Sequence, residues 1–161
     1  MSFTHFSLQT FKNAKSNAQK IISISKRGHL VGVDPDMAKH RTLASGISDK
    51  GFYVNNAEVD GSVLLLQRSF LMWKPTSYDE ITPESLNLLS ILVPKVEFLI
   101  IGTGTNARRP NQELFKYLKH LDIKVEQMTS MSAIGTFNAL NFEDRVVAAA
   151  LLHPSADEDE N

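Results

Sequence analysis

The stretch Gly102-Thr103-Gly104-Thr105-Asn106-Ala107, followed by Arg108 and Arg109, holds the residues of this chain best suited to chemistry. It fits the G-x-G-x-x-G/A turn, where glycines let backbone approach a pyrophosphate at a helix N-terminus. Asp122 and Glu126 lie downstream at about the spacing of a ribose-binding acid. Three features weigh against a dinucleotide site. Pro110 delays the helix start by several residues, the unit is not flanked by two mononucleotide-binding halves, and Arg108-Arg109 is more basic than such a site needs. Two other readings stand beside it. The glycines can make a tight exit from a central strand, or Thr103, Thr105, Arg108 and Arg109 can form an anion site for a phosphate or a partner's carboxylate. A Walker loop is excluded, because no Gly-Lys-Ser/Thr follows.

Other reactive residue types are scattered. His40, His120 and His153 are far apart and lack metal-ligand spacing, so they read as surface or cap residues. Glu143-Asp144-Arg145 reads either as an acid pair or as a turn with a local salt bridge. Trp73 reads as core or interface. The chain has no cysteine, which removes disulfides, zinc fingers, thiolate-held iron–sulfur clusters and cysteine nucleophiles. No nucleophile stands at a defined spacing from a base. The expectation is therefore no catalytic residues, no cofactor and no metal.

The elements that would position the glycine turn alternate between strand and helix. Gly51–Val54 reads as a strand and Asn55-Asn56 as a turn, after which 58–61 continues to another turn. The unbroken apolar run in 62–67 suits a strand buried on both faces, and 70–73 extends it or forms its return. Thr82 as N-cap, Pro83 and Glu84 open a helix to about Leu92, with Leu86, Leu89 and Val93 inward. Residues 98–101 are the strand before the glycine turn. Pro110 starts a helix with Leu114, Leu118 and Leu121 inward, Val125 sits in a short strand, and Ser132 caps a helix over 133–140. Residues 145–152 are read as a central strand, with a helix as the alternative. The sum is a single compact α/β domain with a central mixed β-sheet flanked by helices.

Charge divides the 161 residues. Up to Val33 there is no Asp or Glu, while Lys12, Lys15, Lys20, Lys26 and Arg27 sit among five serines. Phe11, Ala14, Ala18, Ile21 and Ile22 fall on one helical face. A basic, serine-rich, acid-free amphipathic segment is the pattern of a mitochondrial transit peptide, assigned to residues 1–32, and a solvated basic arm is the alternative. The domain is assigned to 33–154, and 155–161 to an acidic disordered tail. The formal net charge of -1 gives no reason to expect a nucleic-acid partner, and no apolar run is long enough to span a bilayer.

These segments resemble one family. Gly51-Phe52-Tyr53-Val54-Asn55, Gly61-Ser62-Val63-Leu64, the Trp73 region and Ile101-Gly102-Thr103-Gly104 carry the likeness. So do Met128-Thr129 with Ala133, Thr136-Phe137-Asn138-Ala139-Leu140, and the run from Glu143 to Leu151. In this order they are similar to the Mth-type domain of the mitochondrial complex I assembly factor 3 family, shared with the adipogenesis-associated Mth-domain protein. The resemblance implies a mixed-sheet α/β domain and a non-catalytic role in building complex I. It further implies work in the mitochondrial matrix, peripheral to the inner membrane at most. There the family pairs with a complex I assembly factor 4-like protein and helps assemble the quinone-module subunits of complex I. The candidate partner or anion surface comprises Gly102, Thr103, Gly104, Thr105, Arg108, Arg109, Asn138 and Arg145, with the 102–109 loop and the 130–141 segment as the expected contact surfaces. One departure is Glu143-Asp144-Arg145, where many members carry Glu-Gly-Arg; with Asp144 there, the turn is expected not to require a positive φ strictly. A second is Gly135, where members often carry a basic or small residue.

Overall fold

The computed structural model describes residues 41–109 and 111–155. The leader (1–32) and residues 156–161 of the tail fall outside them, as do His40 and Pro110. Among the described residues eight strands form two sheets, one of three strands and one of five. The small sheet contains β1 (Ala44–Ile47), β2 (Gly51–Val54) and β3 (Ala57–Asp60), all antiparallel. Between β2 and β3, Asn55 and Asn56 take φ of 49° and 64°. Two residues at positive φ give the turn whose twist matches a hairpin, and asparagine tolerates that region best after glycine.

The large sheet is mixed, as expected. β4 (Val63–Leu66) pairs antiparallel with β5 (Ser69–Met72) and with β8 (Val147–Leu152). β6 (Phe98–Thr103) pairs parallel with both β8 and β7 (Lys124–Met128). β8 is the central strand and all six of its residues are buried. Alternate residues serve opposite cores. Ala148, Ala150 and Leu152 meet one apolar cluster, and Val147, Ala149 and Leu151 the other. The small side chains let elements on both faces come close.

Two helices link the parallel strands. α1 (Gln112–His120) leads outward from β6 to β7, and α2 (Ser130–Phe142) leads back from β7 to β8. A right-handed crossover moving outward and one moving back must cover opposite faces. Accordingly Leu114 and Leu118 of α1 pack in one core with Trp73, Leu86 and Leu89, while Ala133, Ile134 and Phe137 of α2 pack in the other with Phe52 and Val54. Trp73 is a core residue, and its indole N–H donates to Ser85 O at 3.0 Å.

Cap chemistry sets the helix ends. Asn111 caps α1, accepting from the N–H groups of Glu113 and Leu114, so the helix begins after the position that Pro110 suggested. α1 ends with Ile123 N–H on Leu118 O and Asp122 N–H on Lys119 O, with Asp122 at φ 56°. That is the paired-bond arrangement in which glycine is usual at the left-handed position. Thr129, not Ser132, caps α2: its extended backbone turns its hydroxyl back onto Ser132 N–H at 3.3 Å.

Other details differ from the sequence reading. The 82–92 helix is a 3₁₀ stretch, Glu84–Ser90, without a side-chain cap from Thr82. Ser85 and Ser90 hydroxyls donate to Thr82 O and Asn87 O, and such local bonds compete with the α-helical ladder. Val93 is 95% exposed rather than inward, because the stretch has ended before it. His153 is buried, not a surface residue. Its ring lies edge-on to Phe52, and its Nε2 donates to Ser48 O at 3.0 Å, joining the end of β8 to the small sheet. Ser155, placed in the tail by composition, lies 2.6 Å from His153 Nδ1.

Gly135 lies exposed within α2, with nothing within 4 Å of where a Cβ would stand. Gly135→Ala should therefore raise unfolding stability by about 0.8 kcal/mol through helix propensity alone, read from a urea transition with unchanged slope. A loss of stability instead would mean that the exposed face of α2 is covered.

Candidate functional site

The glycine turn leaves the carboxyl end of β6, where open α/β sheets place their ligands. Here that crevice is closed from inside. Gly104, at φ 87°, donates its N–H to Ser130 Oγ at 2.9 Å, and Ser130 N–H donates back to Gly104 O at 2.8 Å. Ser130 Oγ–H donates to Leu152 O at 2.6 Å. One buried hydroxyl thus ties the ends of β6 and β8 to the start of α2. Gly102 makes this possible, because a Cβ there would stand 2.8 Å from Ser130 Cα. Thr103 Oγ1 lies 2.6 Å from Asn106 O, 3.2 Å from Met128 O and 3.3 Å from Arg108 N.

Gly102, Thr103 and Gly104 are consequently buried, and an approaching molecule would meet Thr105, Arg108 and Arg109. Arg108 stacks over Tyr78, its guanidinium carbon 5.4 Å from the ring centre. Tyr78 Oη donates to Arg109 O and accepts from Gln127 Nε2. The Arg109 backbone is thereby held while its side chain remains exposed.

The other two predicted residues lie elsewhere. Asn138 forms a two-bond bridge to Ala44, donating Nδ2–H to its O at 2.7 Å and accepting its N–H at 3.2 Å, so it fastens β1 to α2. Arg145 precedes β8 beside Phe98, with its guanidinium 4.4 Å from the ring centre and Glu97 at 4.0 Å. Phe98 opens β6 and Thr103 closes it. At about 3.3 Å per residue, Arg145 is thus roughly 17 Å along the strand from the arginine pair.

The Glu143–Arg145 cluster is a turn whose ion pairs reach outside it. Asp144 meets Arg41 at 2.5 Å, and Arg145 meets Glu97. Contrary to the expectation for this turn, Asp144 does take positive φ, at 61°. Aspartate tolerates that region better than most residues with a side chain, and the Arg41 contact helps to hold it there.

Tyr78 matters here and was not singled out by sequence, while Ser130 and Asn141, the ends of the 130–141 segment read as a contact surface, are buried. Asn141 is buried and donates to Thr42 O at 2.8 Å. The Thr129-Ser130 pair at a helix start was the available signal, though it did not reveal the partner of the hydroxyl. Two carboxyls sit below their ordinary range. Glu80 is lowered by the Thr76 backbone N–H and hydroxyl, and Glu84 by its own N–H and the Thr82 hydroxyl. Both are exposed. Among the described residues no cluster of His, Asp and Glu is arranged to hold a metal.

Residues 44–152 match the family described as a protein of unknown function (DUF498/DUF598). NADH dehydrogenase [ubiquinone] 1 alpha subcomplex assembly factor 3 of Danio rerio is 34% identical over 143 residues, covering 81% of this chain and 82% of that protein. The Bos taurus protein of the same name is 37% identical, covering 80% and 77%. This chain belongs to the complex I assembly factor 3 family. The fold of this assembly factor 3 relative also matches solved structures. An outer membrane protein from Bartonella henselae superposes with a TM-score of 0.64 at 28% identity, covering 70% of this chain and 94% of that one. A Mth938-like domain from Bordetella pertussis superposes with a TM-score of 0.66 at 22% identity, covering 77% and 92%, and it supports the fold alone.

Proposed function

We propose that this chain is a non-enzymatic assembly factor for mitochondrial complex I, acting through protein contacts. The observation that carries this reading is the likeness to assembly factor 3 proteins over about four-fifths of this chain and of the Danio rerio relative. In this reading residues 1–32 direct the protein to the mitochondrial matrix. There it works against the inner membrane with an assembly factor 4-like partner and helps assemble the quinone-module subunits. The backbone groups of the glycine turn support a structural role, since the Gly104 N–H that would face a phosphate is already bonded to Ser130.

Affinity capture of the tagged chain from mitochondria, with partners identified by mass spectrometry, tests the reading. Recovery of complex I subunits and a second assembly factor is expected; recovery of neither, where complex I is present, overturns it. Arg109→Glu should lower that recovery about tenfold, equivalent to about 1.4 kcal/mol, because rim charges govern encounter and register. Its stability should stay within about 0.5 kcal/mol of the parent, since the side chain is exposed. Equal recovery would remove Arg109 from the contact surface.

A further inference from the structure

β7 is an edge strand, bonded to β6 on one side only among the described residues. Between it and α1 lies an open recess of about 390 Å³. Its floor is apolar, formed by Phe115, Ile123 and Val125, and its rim carries Lys116, Lys119 and Lys124. The one acid of the rim, Asp122, has Lys95 3.8 Å away. Lys116 and Lys119 are exposed and have no ion-pair partner among the described residues. In the same loop as Lys95, Ile91 is 74% and Val93 95% exposed.

Each part needs something from outside the chain. An edge strand offers unpaired N–H and C=O groups to another extended segment. The floor favours an apolar side chain, and lysines without counter-charges favour carboxylates. We propose that this recess receives an extended segment of a partner protein, with an apolar anchor seated between α1 and β7 and flanking Asp or Glu residues on the lysine rim. This deepens the assembly-factor reading by giving the partner a chemistry. A lipid surface fits less well, because the apolar floor lies in a recess rather than on a protruding face.

The test uses the full chain and a short synthetic peptide of leucines set among glutamates, followed by backbone NMR shifts. Shifts confined to α1, β7 and the residues joining them support the proposal, provided a matched peptide with lysine in place of glutamate gives none. The double variant Lys116→Glu/Lys119→Glu should weaken peptide binding at least tenfold, and Lys116→Gln/Lys119→Gln should weaken it less, with unchanged melting. No shifts, scattered shifts, or equal binding by both peptides would overturn the proposal. So would perturbation of the same residues by phosphatidylglycerol vesicles and not by the peptide. Loss of complex I capture by the parent chain, with peptide binding intact, would instead count against the assembly reading and leave the recess standing.

Discussion

Gly102→Ala should cost this fold about 3 kcal/mol of stability, although it adds a single methyl. Gly102 does not need glycine for its backbone angles, since it sits inside β6; it needs glycine for space. The added Cβ would lie 2.8 Å from Ser130 Cα, 2.9 Å from Ser130 Oγ and 3.0 Å from Leu151 Cδ2. The leucine methyl can turn away. The Ser130 backbone cannot, because its N–H is bonded to Gly104 O and it begins α2. Relief therefore means lifting the first turn of α2 from the sheet, which loosens the packing of Ala133 and Phe137 behind it. Overpacking of this kind costs about 1–3 kcal/mol, and more where backbone must move. For a domain of this size the melting point should fall by roughly 10 °C. A loss below about 1 kcal/mol would show that α2 shifts freely and that the close approach is incidental. The contrast with Gly135, where a methyl has open space, makes the two glycines opposite in sign.

That contrast shows what the sequence could and could not carry. β8 was legible as a strand, with a helix left as the alternative, from its apolar run bounded by Asn141 and Pro154. β2 and the turn after it were legible from Asn55-Asn56, though the return strand β3 was not. β1 was not: Ala44-Ser45-Gly46-Ile47 has weak strand propensity, and tertiary partners recruit it, chiefly the Asn138 bridge and the edge of β2. The 3₁₀ stretch was misread because serine side chains compete for carbonyls that a helical pattern assigns to the ladder. At the glycine turn, sequence identified Gly102 and Gly104 as special but gave no reason to link them to Ser130. The separation of Arg145 from the arginine pair was likewise hidden, since it follows from the parallel register of β6 and β8.

Ser130→Ala should cost about 2–4 kcal/mol, with the loss arising from two stranded backbone groups rather than from volume. Ser130 is fully buried, and its hydroxyl serves Gly104 N–H as acceptor and Leu152 O as donor. Both groups lie at strand ends, beyond the reach of ladder bonds, so nothing nearby replaces the hydroxyl. A buried donor or acceptor left unpaired costs about 1–3 kcal/mol, and two in one place exceed the value of an ordinary hydrogen bond. The same oxygen is also what a Cβ at Gly102 would strike. The two substitutions therefore share a contact, and their effects should not add. Gly102→Ala/Ser130→Ala should lose less than the sum of the single losses by about 1 kcal/mol or more, because removing the oxygen opens part of the space the methyl needs. Urea unfolding of the four proteins in one buffer measures this directly. Additive losses would mean that the helix start yields independently at the two points, and the hydroxyl would then not be the joint between β6, β8 and α2.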